Sequence, residues 1–199
     1  MLNAVNESKI LIDIENFVED VSIRRPNPRN FYNQLTELLF QLSQIYNPDY
    51  SYVPAIEAVI ELLLDLDEYL DDSECLCERL TKIAFEDIQR DFRWHYRRHN
   101  RQLRDHRHGE SENTNTLVNR MQRISNKHSR ILVVRVDLAY PLKSQDQVGI
   151  FEFSNDMDVL RTRLRDQDRV FKGLIEYAWA LEQGEEKGYH CHLLLVYKG

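Results

Sequence analysis

Two histidines, His190 and His192, stand two residues apart in the apolar run YHCHLLLVY, Tyr189 to Tyr197. Side chains of an extended strand alternate between faces, so this spacing sends both imidazoles to one face and Cys191 to the other. The preceding run, GLIEYAWALE from Gly173, ends in Glu182, eight residues before His190, and the short QGEEKG loop joins the two. A hairpin that pairs residue 182 with residue 190 sets this carboxylate beside the imidazoles. Ala178 and Ala180 then leave room on the histidine face, and Tyr177, Trp179, Leu181, Cys191, Leu193 and Leu195 form a core face on the other side. Two neutral imidazoles and one carboxylate, with positions open to water or substrate, can hold a divalent ion that draws charge from a phosphoryl oxygen. The expected ligands are therefore Glu182, His190 and His192, and the expected ion is Mg or Mn. A histidine pair of this kind taken alone is more often structural; Glu182 and the glycine-bearing turn favour the metal.

The strands need a scaffold. ILVVRVDLAYP, Ile131 to Pro141, is a β-branched run ended by proline and reads as a buried strand. Ser154 can cap a helix whose first turn holds Asp156 and Asp158, with Met157, Leu160 and Leu164 on one face. The order over the last seventy residues is thus strand, helix, strand, strand. Upstream, apolar residues from Ile10 to about Asp87 recur at helical spacing, as in Leu35, Leu38, Leu39 and Leu42, or Ile56, Val59, Ile60, Leu63 and Leu64. Breaks at Arg25-Pro26-Asn27-Pro28, Asn47-Pro48-Asp49 and Asp71-Asp72-Ser73 divide this region into about four helices. Glu57, Glu61, Asp65 and Glu68 read as a solvated face. From Phe85 onward, Arg90, Arg93, Arg97, Arg101 and Arg104 recur every three or four residues with Phe92, Trp94 and Tyr96 among them. Such a stripe suits phosphates and unpaired bases, and it suits equally well the acidic helices before it. Gly109 to Thr116, GESENTNT, has no apolar period and reads as a linker.

Of 199 residues, 42% are apolar and 30% charged, enough to build an ordinary core. A net charge of -7 argues against a protein that coats nucleic acid without selectivity. The charge is uneven: residues 1–88 carry 6 basic and 18 acidic side chains, residues 89–129 carry 10 and 4, and residues 130–199 carry 10 and 11. The chain shows no run of membrane-spanning length and no signal-peptide pattern at its start, so a cytoplasmic location with no membrane partner is expected. Three cysteines do not form a disulfide framework.

The segment LEQGEEKGYHCHLLL resembles motif II of the HUH endonucleases, in which two histidines flank a hydrophobic residue and, in several viral replication initiators, a glutamate eight positions earlier completes the metal site. VVRVDLAYP stands where motif I would be. More narrowly, residues 130–199 resemble the inovirus-type replication proteins and the prophage YagK/YfjJ-like family. The resemblance implies an α+β protein: an N-terminal helical region followed by a partial ferredoxin-like (HUH/Rep-type) antiparallel sheet with a packed helix. Together with the apolar and charge patterns upstream, which the resemblance does not cover, this divides the chain into a helical region at 1–108 with a basic last helix, a linker and lead-in helix at 109–129, and a metal-binding domain at 130–199. The implied activity is metal-dependent nicking and joining of single-stranded DNA in rolling-circle replication, through a phosphotyrosine. That family carries its nucleophilic tyrosine on a helix after the histidine strand, whereas this sequence stops at Gly199, and Tyr140, Tyr189 and Tyr197 do not occupy the family's position. The expectation is a shortened copy or fragment that holds metal and lacks an identified nucleophile, with Arg93, Arg97, Arg101 and Arg104 as DNA-binding residues. One alternative is a prophage-encoded, non-catalytic DNA- or protein-binding module; another is an interaction protein in which the acidic helices bind a protein partner and the histidines are satisfied structurally.

Overall fold

The computed structural model describes residues 6–24, 30–184 and 187–199, and the chain divides into two compact units. One comprises Lys9–His106. It contains α1 (Glu7–Ile23) from its third residue, α2 (Phe31–Ser43), α3 (Pro54–Asp65), α4 (Ser73–Leu80) and the first part of α5 (Phe85–Lys127). The helical apolar spacing closes on a single core in which Ile14, Val18, Leu35, Leu39, Leu42, Val59, Leu76, Leu80 and Phe92 are buried. Phe31 anchors it, stacked on Phe17 at 5.7 Å and edge-on to Phe85 at 4.9 Å. Two of the three expected breaks are turns with a local cause. Asn47 Oδ1 accepts from the Asp49 N–H at 3.0 Å, and Asp72 caps α4 by accepting from the Glu74 and Cys75 amides at 2.9 and 3.2 Å. The break at Arg25-Pro26-Asn27-Pro28 lies outside the described residues. Carbonyls at the end of α1 and just past it are met from α5: Gln89 donates to Val21 and Arg24 at 2.8 and 2.5 Å, and Arg93 Nε to Ser22 at 2.9 Å.

The expected linker is instead helix, since α5 runs unbroken through Gly109–Thr116 to Lys127. One interior glycine costs only about 1 kcal/mol, whereas breaking the helix would require a second costly nucleation before Leu117.

The other unit comprises Met1–Ser8 and Arg107–Gly199. It holds β1 (Ile131–Ala139), α6 (Ile150–Arg165), β2 (Leu174–Gly184) and β3 (Gly188–Lys198), the strand, helix, strand, strand order read from the sequence. The three strands form an antiparallel sheet in the order β1-β3-β2, so the fold is α+β. Central β3 is the most buried strand. Its Tyr189, Cys191, Leu193 and Leu195 pack with Phe153, Met157 and Leu164 of α6.

Three expectations shift here. Strand β1 is an exposed edge rather than a buried strand, because among the described residues only β3 pairs with it. Trp179 and Leu181 lie on the core face yet stay 38% and 45% exposed; Trp179 is covered by the Arg161 guanidinium, 5.9 Å from its ring. Finally, α6 begins at Ile150, before Ser154, with Gly149 as its N-cap. Glu152 accepts from the Gly149 N–H at 3.0 Å, and Glu7 from the Ile150 N–H at 3.1 Å. Any Cβ at Gly149 would collide with the Glu7 carboxylate. Among the described residues no helix is long and apolar enough to cross a membrane.

Candidate metal centre

The hairpin register is the one the sequence suggested: Glu182 faces His190 and Ala180 faces His192 across β2 and β3. On the other flank, β1 sets Asp137 opposite His192 and Ala139 opposite His190. Pleating therefore gathers Glu182, His190, His192 and Asp137 on one face of the sheet, opposite α6. His190 Nε2 and His192 Nε2 each lie 3.4 Å from the same carboxylate oxygen, Glu182 Oε2. One ligand atom from each of the three residues falls within 4.8 Å of the others. Two ligand atoms each about 2.1 Å from one ion, at an angle of roughly 90–110°, sit about 3.0–3.4 Å apart, so the spacing fits a shared cation.

The hydrogen bonds decide which imidazole nitrogens are available. His190 Nδ1 lies 3.1 Å from the Gly188 carbonyl, which only accepts, so Nδ1 carries the proton and Nε2 the lone pair. His192 Nδ1 lies 2.6 Å from Asp137 Oδ1. Arg135 also reaches that nitrogen, at 3.3 Å, but makes its closer bond to Asp137 at 3.0 Å. The shorter, carboxylate contact makes Nδ1 the donor and again leaves Nε2 the lone pair. Bonding to His192 and then to Arg135 holds the Asp137 carboxyl below its ordinary range. Two nitrogen lone pairs thus converge on a carboxylate oxygen, an arrangement that repels unless a proton or cation lies between them. His190 is buried, His192 partly exposed and Glu182 half exposed, which leaves open coordination positions on the solvent side.

Asp137 and the Gly188 carbonyl were not foreseen. Gly188 sits at φ +58°, a left-handed conformation suited to glycine, and this turns its carbonyl toward His190. The sign for Asp137 was its place in VVRVDLAYP, but using it required the pairing of β1 with β3, which is nonlocal and unmarked by a short turn.

The tyrosines of this unit lie across the sheet from the centre, as expected for Tyr197, whose hydroxyl donates to Val170 O at 2.8 Å. Tyr189 donates to Glu7 at 2.8 Å and Tyr140 to Asp156 at 2.6 Å. Burial first, and then the Asp156 acceptor, push the Tyr140 hydroxyl above its ordinary pKa. The expected DNA-binding arginines belong to the helical unit, on α5. Arg97, Arg101 and Arg104 are exposed there, while Arg93 is half-buried on the Ser22 carbonyl. Part of the basic helix does pair with the acidic region, through Arg98–Glu57 at 3.2 Å and His95–Glu61 at 3.1 Å.

Fold and site together define a small α+β domain with a three-residue, metal-capable centre on one face of an antiparallel sheet. The chain belongs to the YagK/YfjJ C-terminal domain family, whose model matches residues 95–199 and so includes the whole sheet and all three candidate ligands. No curated protein and no solved structure matches the chain.

Proposed function

We propose that the domain binds a divalent ion, Mg or Mn, through Glu182, His190 and His192, and uses it on the phosphodiester of single-stranded DNA, as an HUH-type nicking and joining domain of a replication initiator. The observation that carries this reading is the convergence of two imidazole Nε2 atoms on one carboxylate oxygen, each at 3.4 Å. The bound ion would supply polarisation of a phosphoryl oxygen. Glu182 lowers the charge of the site by one unit and His190, fixed by the Gly188 carbonyl, sets its floor. Ala180, opposite His192, is exposed and places only a methyl group beside the centre.

The same geometry favours a division of labour. Tyr140, Tyr189 and Tyr197 have their hydroxyls held by acceptors, on the face turned away from the histidines. A nucleophile must stand in line with the leaving oxygen, and these do not. The 199-residue chain is therefore expected to hold metal and DNA without forming a covalent adduct. Isothermal titration with manganese should give one site that His192→Ala removes; binding that survives the substitution would refute the centre. Labelled single-stranded oligonucleotides with manganese should bind more tightly than without it, and an adduct at any of the three tyrosines would refute their exclusion.

A further inference from the structure

We infer that Asp137 is a positioning residue for the centre: by accepting the Nδ1 proton of His192 it selects the tautomer whose Nε2 lone pair faces Glu182 and His190. The inference rests on the metal reading for its purpose, but its structural content stands without any ion. His190 has its tautomer set by a backbone carbonyl, which no side-chain substitution removes. Among the described residues His192 has no such backbone partner: its Nδ1 contacts are the side chains of Asp137 at 2.6 Å and Arg135 at 3.3 Å. These two make opposite demands on the ring. Arg135 can only donate, and if it were the partner of Nδ1 the proton would move to Nε2 and point at Glu182, closing the ligand position. Asp137 can only accept, and its contact is the shorter by a wide margin. Arg135 is then satisfied by Asp137 itself, through Nε at 3.0 Å, and orients the carboxylate. The result is a relay from Arg135 to Asp137 to His192 across the β1–β3 pair, with each member on the same sheet face. A carboxylate behind a ligating histidine also raises the basicity of the metal-facing nitrogen, and losing such a partner typically weakens metal binding 10–100-fold.

Asp137 sits on an edge strand with its side chain about half exposed, so it can be replaced without opening the core. In the metal-free full chain, two-bond proton–nitrogen correlation spectra at about pH 8, where imidazoles are ordinarily neutral, should show His192 with its proton on Nδ1. Asp137→Leu should move the proton to Nε2 and weaken manganese binding by about 10-fold or more. Asp137→Asn, which keeps an accepting oxygen, should retain the Nδ1 proton and lie between the two in affinity. His190 should keep its tautomer in both variants, which also reports that the sheet is intact. If His192 carries its proton on Nε2 in the unmodified chain, or keeps Nδ1–H in Asp137→Leu, the inference fails whether or not the chain binds metal. The expected tautomers in all three chains, with no manganese binding to the unmodified chain, would instead count against the metal reading alone.

Discussion

At the scale of single residues, environment rather than type separates the histidines. His190 and His192 point their nitrogens at a carboxylate oxygen, whereas His99 is 8% exposed and its Nδ1 has no hydrogen-bond partner among the described residues. Burial lowers the pKa of His99, and the nearby Glu19 charge offsets only part of this. An imidazole in the unfolded chain takes up its proton near pH 6.5. Below that pH the unfolded chain therefore gains a proton that folded His99 resists, and stability falls until the folded group protonates as well. Partly buried Glu15, whose carboxyl is raised by desolvation, acts in the opposite sense and is common to both proteins in a comparison with His99→Leu. The variant should gain on the order of 1 kcal/mol at neutral pH, from removing a buried unpartnered nitrogen, and gain more at acid pH. Urea unfolding at about pH 7.5 and 5.5 measures both; a gain that shrinks on acidification would contradict the assignment. The juxtaposition of the three candidate ligands was legible because strand alternation and a short hairpin bring Glu182, His190 and His192 together by local rules. Asp137 was not, because its neighbour His192 is 55 residues away.

At the scale of elements, periodicity placed the helices and all three strands, and failed where a segment's state depends on its neighbours. The polar run Gly109–Thr116 carries no apolar stripe, yet it lies between two stretches that nucleate helix and is carried along by them. In the same way, β-branched residues marked β1 as a strand but could not show that it lies at an edge, since burial is a property of the sheet order. The continuity of α5 predicts how Gly109 responds to change. A Cβ built there meets nothing within 4 Å, so Gly109→Ala introduces no clash and removes the conformational freedom of the unfolded glycine. The gain should be about 0.5–1 kcal/mol in helix stability, which slows local amide exchange about two- to fivefold around that position. Exchange that is unchanged or faster in the variant would mean that the helix is not continuous there in solution.

At the scale of the whole molecule, charge is sorted along the chain: 6 basic against 18 acidic side chains in residues 1–88, then 10 against 4 in residues 89–129. Within the helical unit the two signs meet, as Arg98–Glu57 shows. That neutralisation does not extend to Arg97, Arg101 and Arg104, whose side chains are exposed on α5. The distinction divides the arginine stripe into two roles that spacing alone could not separate. Arg93 holds the Ser22 carbonyl near the end of α1, so Arg93→Gln should lower the stability of the helical unit, by roughly 1 kcal/mol for one lost hydrogen bond. Arg97, Arg101 and Arg104 make no comparable structural contact among the described residues and, being exposed, are the groups a phosphate could reach. If they contact single-stranded DNA, replacing all three with Gln should leave the unfolding midpoint nearly unchanged while reducing the slope of log affinity against log salt. Each lost phosphate contact removes about 0.7 from that slope, so the triple variant should lose about 2. Fluorescence anisotropy with a labelled oligonucleotide over a range of salt concentrations gives the slope directly. A slope unchanged in the triple variant but reduced in Arg93→Gln would reverse the two roles.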